Sequence, residues 1–279
     1  MTLFYRVCRR ICIASSRLFF RLRAWGLENV PLSGGVILAC NHQCYLDPPF
    51  AACLLRRQCH FLARSTLFRF GPFGWLIRNV GAVPLERGES DTRALRRAVE
   101  MLRAGALLTL FPEGTRSRDG GLGRVQPGVA AIALRAGAPV VPTFIHGAFD
   151  AWPRTRKLPR PRPVGVFYGA PLLPPAEAAE GPGHKERVRQ LTIRIQQALE
   201  ELQRRAFVVM PLKHRSAPAA RAGTGQDGPA PVDPPARAGG QEARSTGRSA
   251  PQEGNRLGNG AGGSGSAAAT PGVNSHGQC

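Results

Sequence analysis

The sequence predicts an α/β domain, a mainly parallel sheet flanked by helices, with an amphipathic helix ahead of it and an unfolded tail behind. Two observations carry this. Between about Gly26 and Arg205, apolar runs of strand length alternate with segments whose apolar residues recur at steps of three or four, the arrangement of strands joined by crossover helices. And 43% of the 279 residues are hydrophobic, enough for a sizeable core.

The first 23 residues, MTLFYRVCRRICIASSRLFFRLR, hold six arginines and no acid. Leu3, Val7, Ile11, Ala14, Leu18 and Leu22 share one side of a helix while Arg6, Arg10, Arg17 and Arg21 interleave, so residues 1–25 read as an amphipathic helix with a cationic face. Such a helix suits an anionic bilayer surface. A solvated helix packed on the domain fits the same pattern, and an arginine-rich, acid-poor presequence looks alike. The longest stretch between charges, Ile11 to Ser16, is too short for a membrane span.

The strands follow as GGVILACN, CHFLAR, VGAVPLER, ALLTLF, APVVPTFI and PVGVFYG. Among the helices, SDTRALRRAVEMLRAG opens on a cap candidate, Ser90 or Asp91, lines up Leu95, Val99 and Leu102 and stops at Gly105. PGVAAIALRAGA and HKERVRQLTIRIQQALEELQRR are the others. STLFRFGPFGWLIR brings Phe68, Phe70, Phe73, Trp75 and Arg78 together, either an aromatic membrane edge or a core helix. The domain runs over 26–213. Residues 214–279 are Pro, Gly, Ala and Ser with almost no large apolar side chain, a composition that cannot bury enough surface to fold.

The formal net charge is +20, and the tail's six arginines against four acids leave +18 on residues 1–213. That excess calls for an anionic partner: membrane surface, nucleic acid, phosphorylated substrate or acidic carrier. The seven cysteines are odd in number and cluster early, which favours free thiols in a reducing compartment. Cys40, Cys44, Cys53 and Cys59 with His42 and His60 match no usual zinc spacing, so small buried thiols are the better reading.

Where the first sheet strand ends, NHQCYLDPPF sets His42 and Asp47 five positions apart. Asp47 before Pro48 is what a helix start looks like, with His42 a polar residue at a strand end. Alternatively His42 is a base and Asp47 the carboxylate that steers it. A second segment, LLTLFPEGTRSRDGG, leads a strand into Glu113, Gly114, Thr115, Arg116 and Ser117. A turning glycine, hydroxyls and a guanidinium at a strand's carboxyl end suit an anion better than an ordinary polar loop would. In GAVPLERGES, Arg87 and Glu86 end a strand; Arg87 is either a second cation for that anion or half of a surface ion pair. PVVPTFIHG reads as a core strand.

In this order and at these separations the four segments resemble the 1-acylglycerol-3-phosphate O-acyltransferase family of the PlsC type. Asn41, His42 and Asp47 meet its N-H-x4-D motif, Gly81 to Arg87 its glycine-to-arginine strand, and Phe111 to Ser117 its F-P-E-G-T-R-S residue for residue. Val141, Pro142, Thr143 and Ile145 meet its fourth motif. The likeness covers roughly Leu27 to Gly169, and its second motif departs from the family at Pro84 and Leu85.

The resemblance implies transfer of an acyl group from a thioester to the free hydroxyl of 1-acylglycerol 3-phosphate, giving phosphatidic acid. It implies His42 as general base and Asp47 as its orienter, with Arg116, the Gly114–Thr115 backbone and Arg87 holding the acceptor phosphate and Glu113 binding or positioning the acceptor. No metal or cofactor is expected; acyl-CoA or an acyl carrier protein would be the co-substrate, at the cytoplasmic face of the cell membrane. Glycerol 3-phosphate or another lysolipid is the alternative acceptor. A reading from another class is a non-catalytic basic module on nucleic acid or acidic membranes, though no recognised nucleic-acid motif appears. A metal phosphohydrolase lacks the further His and Asp ligands it needs.

Overall fold

The computed structural model describes residues 1–85, 91–175 and 181–212. The expected tail lies outside the described residues, as do Glu86 and Arg87. Seven strands form one sheet: β1 (Arg23–Trp25), β2 (Val36–Cys40), β3 (Cys59–Arg64), β4 (Ala82–Leu85), β5 (Leu107–Leu110), β6 (Val140–His146) and β7 (Gly165–Tyr168). Their order is β1-β7-β6-β2-β5-β3-β4, and every pairing is parallel except β6 with β7. The mainly parallel sheet of the sequence reading stands, with β1 as an addition.

The first helix, α1 (Leu3–Phe20), is shorter than the expected 1–25. Arg21 turns left-handed at φ 44°, and the Leu22 N–H closes the turn on the Ser16 carbonyl at 3.2 Å. Leu22 then drops into the core, and Arg23–Trp25 pair with β7. The arginine-rich periodicity ran past the helix end because Leu22 keeps the apolar step while serving the sheet.

Side chains alternate across the sheet, as strands buried on both faces require. Val36, Leu38 and Cys40 of β2 face one layer with Phe20, Phe50 and Tyr168; Ile37 and Ala39 face the other with Val99, Leu102 and Ile195. The first layer is covered by α1 and α2 (Asp47–Ala52), the second by α4 (Asp91–Arg103), α5 (Gly128–Ala136) and α7 (His184–Val209). Gly105 ends α4 as expected, at φ 84° with the Ala106 N–H on the Met101 carbonyl. Because β2, β5 and β6 run parallel, the segments that follow them meet at one edge of the sheet, where open α/β sheets place their sites.

The first helix packs on the domain and also carries an exposed apolar row. Tyr5, Ser16 and Phe20 face the domain and are buried, whereas Leu3, Val7, Ile11 and Leu18 are exposed, Leu18 by 75%. Arg6, Arg10 and Arg17 flank the exposed apolar row. The helix packs on the domain and still presents an apolar stripe outward. The aromatic segment does the same. In α3 (Gly71–Asn79) Gly74 and Ile77 are the buried residues, while Phe70, Phe73 and Trp75 are exposed, so it is not a core helix. Phe4 joins the two surfaces through Trp75, ring centroids 4.9 Å apart. Among the described residues no helix is long and apolar enough to cross a membrane.

After β1 the chain must turn at Gly26, φ 77°, where an added Cβ would sit 2.1 Å from the Tyr168 carbonyl oxygen. Gly26→Ala is therefore expected to cost about 1–3 kcal/mol through strain and overpacking at the β1–β7 edge. Urea denaturation of the two proteins measures it, and an unchanged midpoint would show that this edge yields freely.

Candidate active site

At the end of β2, Asn41 extends the ladder with its side chain. Its Nδ2–H donates to the Ile145 carbonyl at 3.0 Å and its Oδ1 accepts the Ile145 N–H at 2.6 Å. The chain then folds around Asp47, which has no exposed surface. Asp47 Oδ2 accepts the Gln43 and Cys44 N–H groups at 2.5 and 2.7 Å and lies 2.8 Å from His42 Nδ1; Oδ1 accepts the Cys44 thiol at 3.2 Å. This geometry removes the cap reading and pairs the carboxylate with the histidine ring. The N-cap of α2 is Leu46, with no side-chain cap bond, and the Asp47 carboxylate turns back to the histidine instead of forward to the helix. A carboxylate only accepts, so this bond selects the tautomer of the neutral ring with its proton on Nδ1 and its lone pair on Nε2. The His42 side chain is 22% exposed.

The segment after β5 clasps this loop. Phe111 stacks on the His42 ring, centroids 4.1 Å apart and planes 24° from parallel. Glu113 Oε1 accepts the His42 N–H and Oε2 the Gly123 N–H, each at 2.9 Å. The Ser117 N–H donates to the His42 carbonyl at 2.7 Å. Both backbone polar groups of His42 are thus held by the second loop.

Two expectations are corrected by these bonds. Gly114, at φ 71°, spends its N–H on the Phe111 carbonyl at 3.1 Å, so it shapes the turn and does not offer that donor to an anion. Ser117 Oγ donates to Asp119 at 3.0 Å and accepts the Gly120 N–H at 2.9 Å, closing the loop. Thr115 is exposed at the loop tip. Arg116 is half-buried, and its Nη1 is buried with no hydrogen-bond partner, an unused donor beside the histidine loop. Arg87 lies outside the described residues.

The cysteines flanking His42 are poor nucleophiles. Burial, reinforced by the Asp47 charge, pushes the Cys44 thiol far above its ordinary range, and burial does the same to Cys40, with smaller contributions from Cys59 and Asp47.

Sequence reasoning missed several partners. Tyr45 lies under the Arg116 guanidinium, 3.7 Å from ring centroid to Cζ, and 5.3 Å from the Trp152 ring. Gln43 bridges the Gly120 carbonyl at 2.8 Å and the Phe149 N–H at 3.3 Å, tying the loop to α6 (Ala148–Ala151). No periodicity marks these residues; the available signal was that Gln43 and Tyr45 fall inside the spacer between His42 and Asp47.

Glu113 gives the site a pH signature. Burial pushes its carboxyl up to about 7 against the pull of the His42 and Gly123 N–H groups, with Asp47 and Asp119 adding to the rise. The folded protein holds this proton more tightly than the unfolded chain, so the stability linked to Glu113 falls as pH rises from the ordinary carboxylate range to about 7, then levels. The melting temperature of the wild type minus that of Glu113→Gln should decrease over about pH 5 to 7. A difference flat with pH would return Glu113 to ordinary carboxylate behaviour.

The likeness to known proteins now has a geometry to rest on. Residues 21–146 match the family described as Acyltransferase, spanning β1 to β6 and both loops. A chloroplastic 1-acyl-sn-glycerol-3-phosphate acyltransferase of Brassica napus is 36% identical over 138 residues, 48% of this chain and 40% of that protein. The chain thus matches about two fifths of that relative's length. The 1-acyl-sn-glycerol-3-phosphate acyltransferase of Bacillus subtilis is 27% identical over 71% of this chain and 96% of its own. The crystal structure of PlsC, the 1-acyl-sn-glycerophosphate acyltransferase from Thermotoga maritima, superposes with a TM-score of 0.59 at 28% identity, covering 71% of this chain and 79% of that one. Residues 21–146, with both motif loops, thus match an acyltransferase domain, and the sheet that carries them is similar to that of PlsC.

Proposed function

We propose that the protein acylates the free hydroxyl of 1-acylglycerol 3-phosphate with an acyl thioester, forming phosphatidic acid. The observation that carries the proposal is the pairing of His42 Nδ1 with buried Asp47 at 2.8 Å, on a loop whose Tyr45 stacks against Arg116 of the second loop, with Arg116 Nη1 unpartnered. The homologues' named acceptor, a phosphomonoester carrying a hydroxyl, fits a base next to a guanidinium.

The residues supply a balanced reaction. As the acceptor oxygen attacks the thioester carbonyl carbon, His42 Nε2 takes the hydroxyl proton, and Asp47 stabilises the imidazolium through Nδ1–H. The tetrahedral adduct collapses, the carbon–sulfur bond breaks, and the proton on Nε2 passes to the departing sulfur. Ester and thiol leave, and His42 is neutral again. Phe111 and Glu113 hold the base through its ring face and its backbone N–H. Arg116 binds the phosphate and so presents the hydroxyl. An acyl-CoA or acyl carrier protein is the donor. A groove of about 890 Å³ lined by Arg21, Arg156, Arg160 and Arg162, with Asp150 as its one acid, offers either of them a cationic approach. Phe149 lines the same groove and bonds Gln43, the residue after His42.

Free thiol release from a long-chain acyl-CoA with lysophosphatidate tests the reading. His42→Ala should lose about 10²- to 10⁴-fold in kcat with its fold intact, and activity retained in that variant would remove His42 as the base. Silence of the wild type with both donors and every lysolipid acceptor would favour the non-catalytic reading.

The exposed apolar rows of α1 and α3, rimmed by arginines, support a peripheral seat on an anionic membrane at its cytoplasmic face. Replacing Val7, Ile11 and Leu18 together by serine should weaken binding to anionic phospholipid vesicles at least about tenfold, since each loses buried methylenes on the bilayer. Sedimentation with the vesicles reads it; unchanged binding would mean that α1 does not dock.

A further inference from the structure

We propose that Tyr45 is a positioning residue for the acceptor phosphate: its ring, braced by Trp152, holds the Arg116 guanidinium ready for the phosphomonoester. The proposal rests on the acyltransferase reading above and assigns a role to a spacer residue of the His42–Asp47 motif.

The geometry is that of a supported stack. Arg116 Cζ lies 3.7 Å from the Tyr45 centroid, the spacing of a guanidinium laid over a ring face. The Tyr45 side chain has solvent around much of it, the residue being 57% exposed, and would be free to swing were it not flanked. Trp152 flanks it, centroids 5.3 Å apart with planes at 54°. The indole is itself fixed, its Nε1–H donating to the Arg156 carbonyl at 3.0 Å. Trp152 caps α6, whose Phe149 N–H bonds Gln43 on the Tyr45 loop. The brace and the ring therefore share one anchored frame.

An aromatic partner is the choice that leaves the arginine useful. A carboxylate would order Arg116 equally well, but would neutralise it and repel a phosphate. A ring uses the π face of the guanidinium and leaves the in-plane N–H donors and the full charge for an anion. The buried, unpartnered Nη1 is such a donor. A long side chain that is ordered beforehand also loses less rotamer freedom when substrate arrives, which appears as tighter acceptor binding without a change in the chemical step.

The test is steady-state kinetics of the full-length chain with lysophosphatidate and an acyl-CoA. Tyr45→Ala and Tyr45→Leu should raise the acceptor KM about tenfold, the scale of one partly desolvated cation–π contact, with kcat held within about twofold; Tyr45→Phe should match the wild type. In an Arg116→Ala background, Tyr45→Ala should add nothing further. Tyr45→Leu keeps apolar bulk against Trp152, so it reads the stack even where the alanine variant folds poorly. An unchanged KM in Tyr45→Leu, while Arg116→Ala raises it, overturns the proposal and leaves Arg116 at the phosphate. An unchanged KM in Arg116→Ala overturns the phosphate assignment itself. A loss confined to kcat, or a Tyr45→Phe variant as impaired as Tyr45→Leu, overturns the role of the ring.

Discussion

A carboxylate with no solvent exposure sits at the centre of this molecule, and the arrangement of the site follows from satisfying it. Removing Asp47 from water costs several kcal/mol unless its charge is met by donors in good geometry. Two backbone N–H groups, a thiol and the His42 ring meet it. Those bonds fix the path of residues 42–47 and leave His42 with one ring nitrogen committed. Breaking that arrangement from either side strands a buried charge, so the loop has one low-energy shape.

The second loop is then registered on the first by exchange. His42, from the segment after β2, is stacked by Phe111 from the segment after β5. Arg116, from the second segment, is stacked by Tyr45 from the first. Glu113 and Ser117 hold the His42 N–H and carbonyl. Each loop therefore carries one polar side chain whose orientation is set by a ring of the other. The two carboxylates divide their work by environment. Asp47 faces the histidine ring, whereas Glu113, pushed up to about 7 by burial, accepts the His42 and Gly123 backbone N–H groups and acts on the position of His42. Preorganisation of this kind lets groups serve a developing charge without moving.

Much of the architecture was legible because it depends on periodicity. The six strands read from apolar runs are all present, and the stop of α4 at Gly105 was visible because only a residue that adopts positive φ cheaply fits there. β1 was not legible. Its three residues carry no pattern of their own, and their place in the sheet is set by pairing with β7, 142 positions further on for Arg23 and Gly165. In the site, His42, Asp47, Glu113 and Arg116 were recognisable as residue types able to do the chemistry. Which way each one pointed was not. Gly114 and Ser117 looked like anion donors and are spent on the turn, because a loop tight enough to deliver Arg116 must first satisfy its own backbone. Tyr45 and Trp152 meet across more than a hundred residues and leave no trace in either segment's pattern.

The same packing ties the surface of the protein to its chemistry. The inner side of α1 presses on the layer that also holds Phe50 of α2, the helix that begins at Asp47. Its last turn is bonded to Val164, just before β7, at the sheet edge where β6 ends and the reactive loops emerge. A surface that receives the outer apolar row of α1 is then about one helix diameter, on the order of 10 Å, from the layer in which Asp47 is anchored. For a water-insoluble acceptor this is a constraint on design. If, as proposed, the acceptor is a lipid whose phosphate reaches Arg116, it cannot diffuse far from its bilayer without exposing its chain, and the distance has to be closed by the protein. In that reading one helix, buried on one side and apolar on another, would close it; among the described residues no helix is long and apolar enough to cross a membrane.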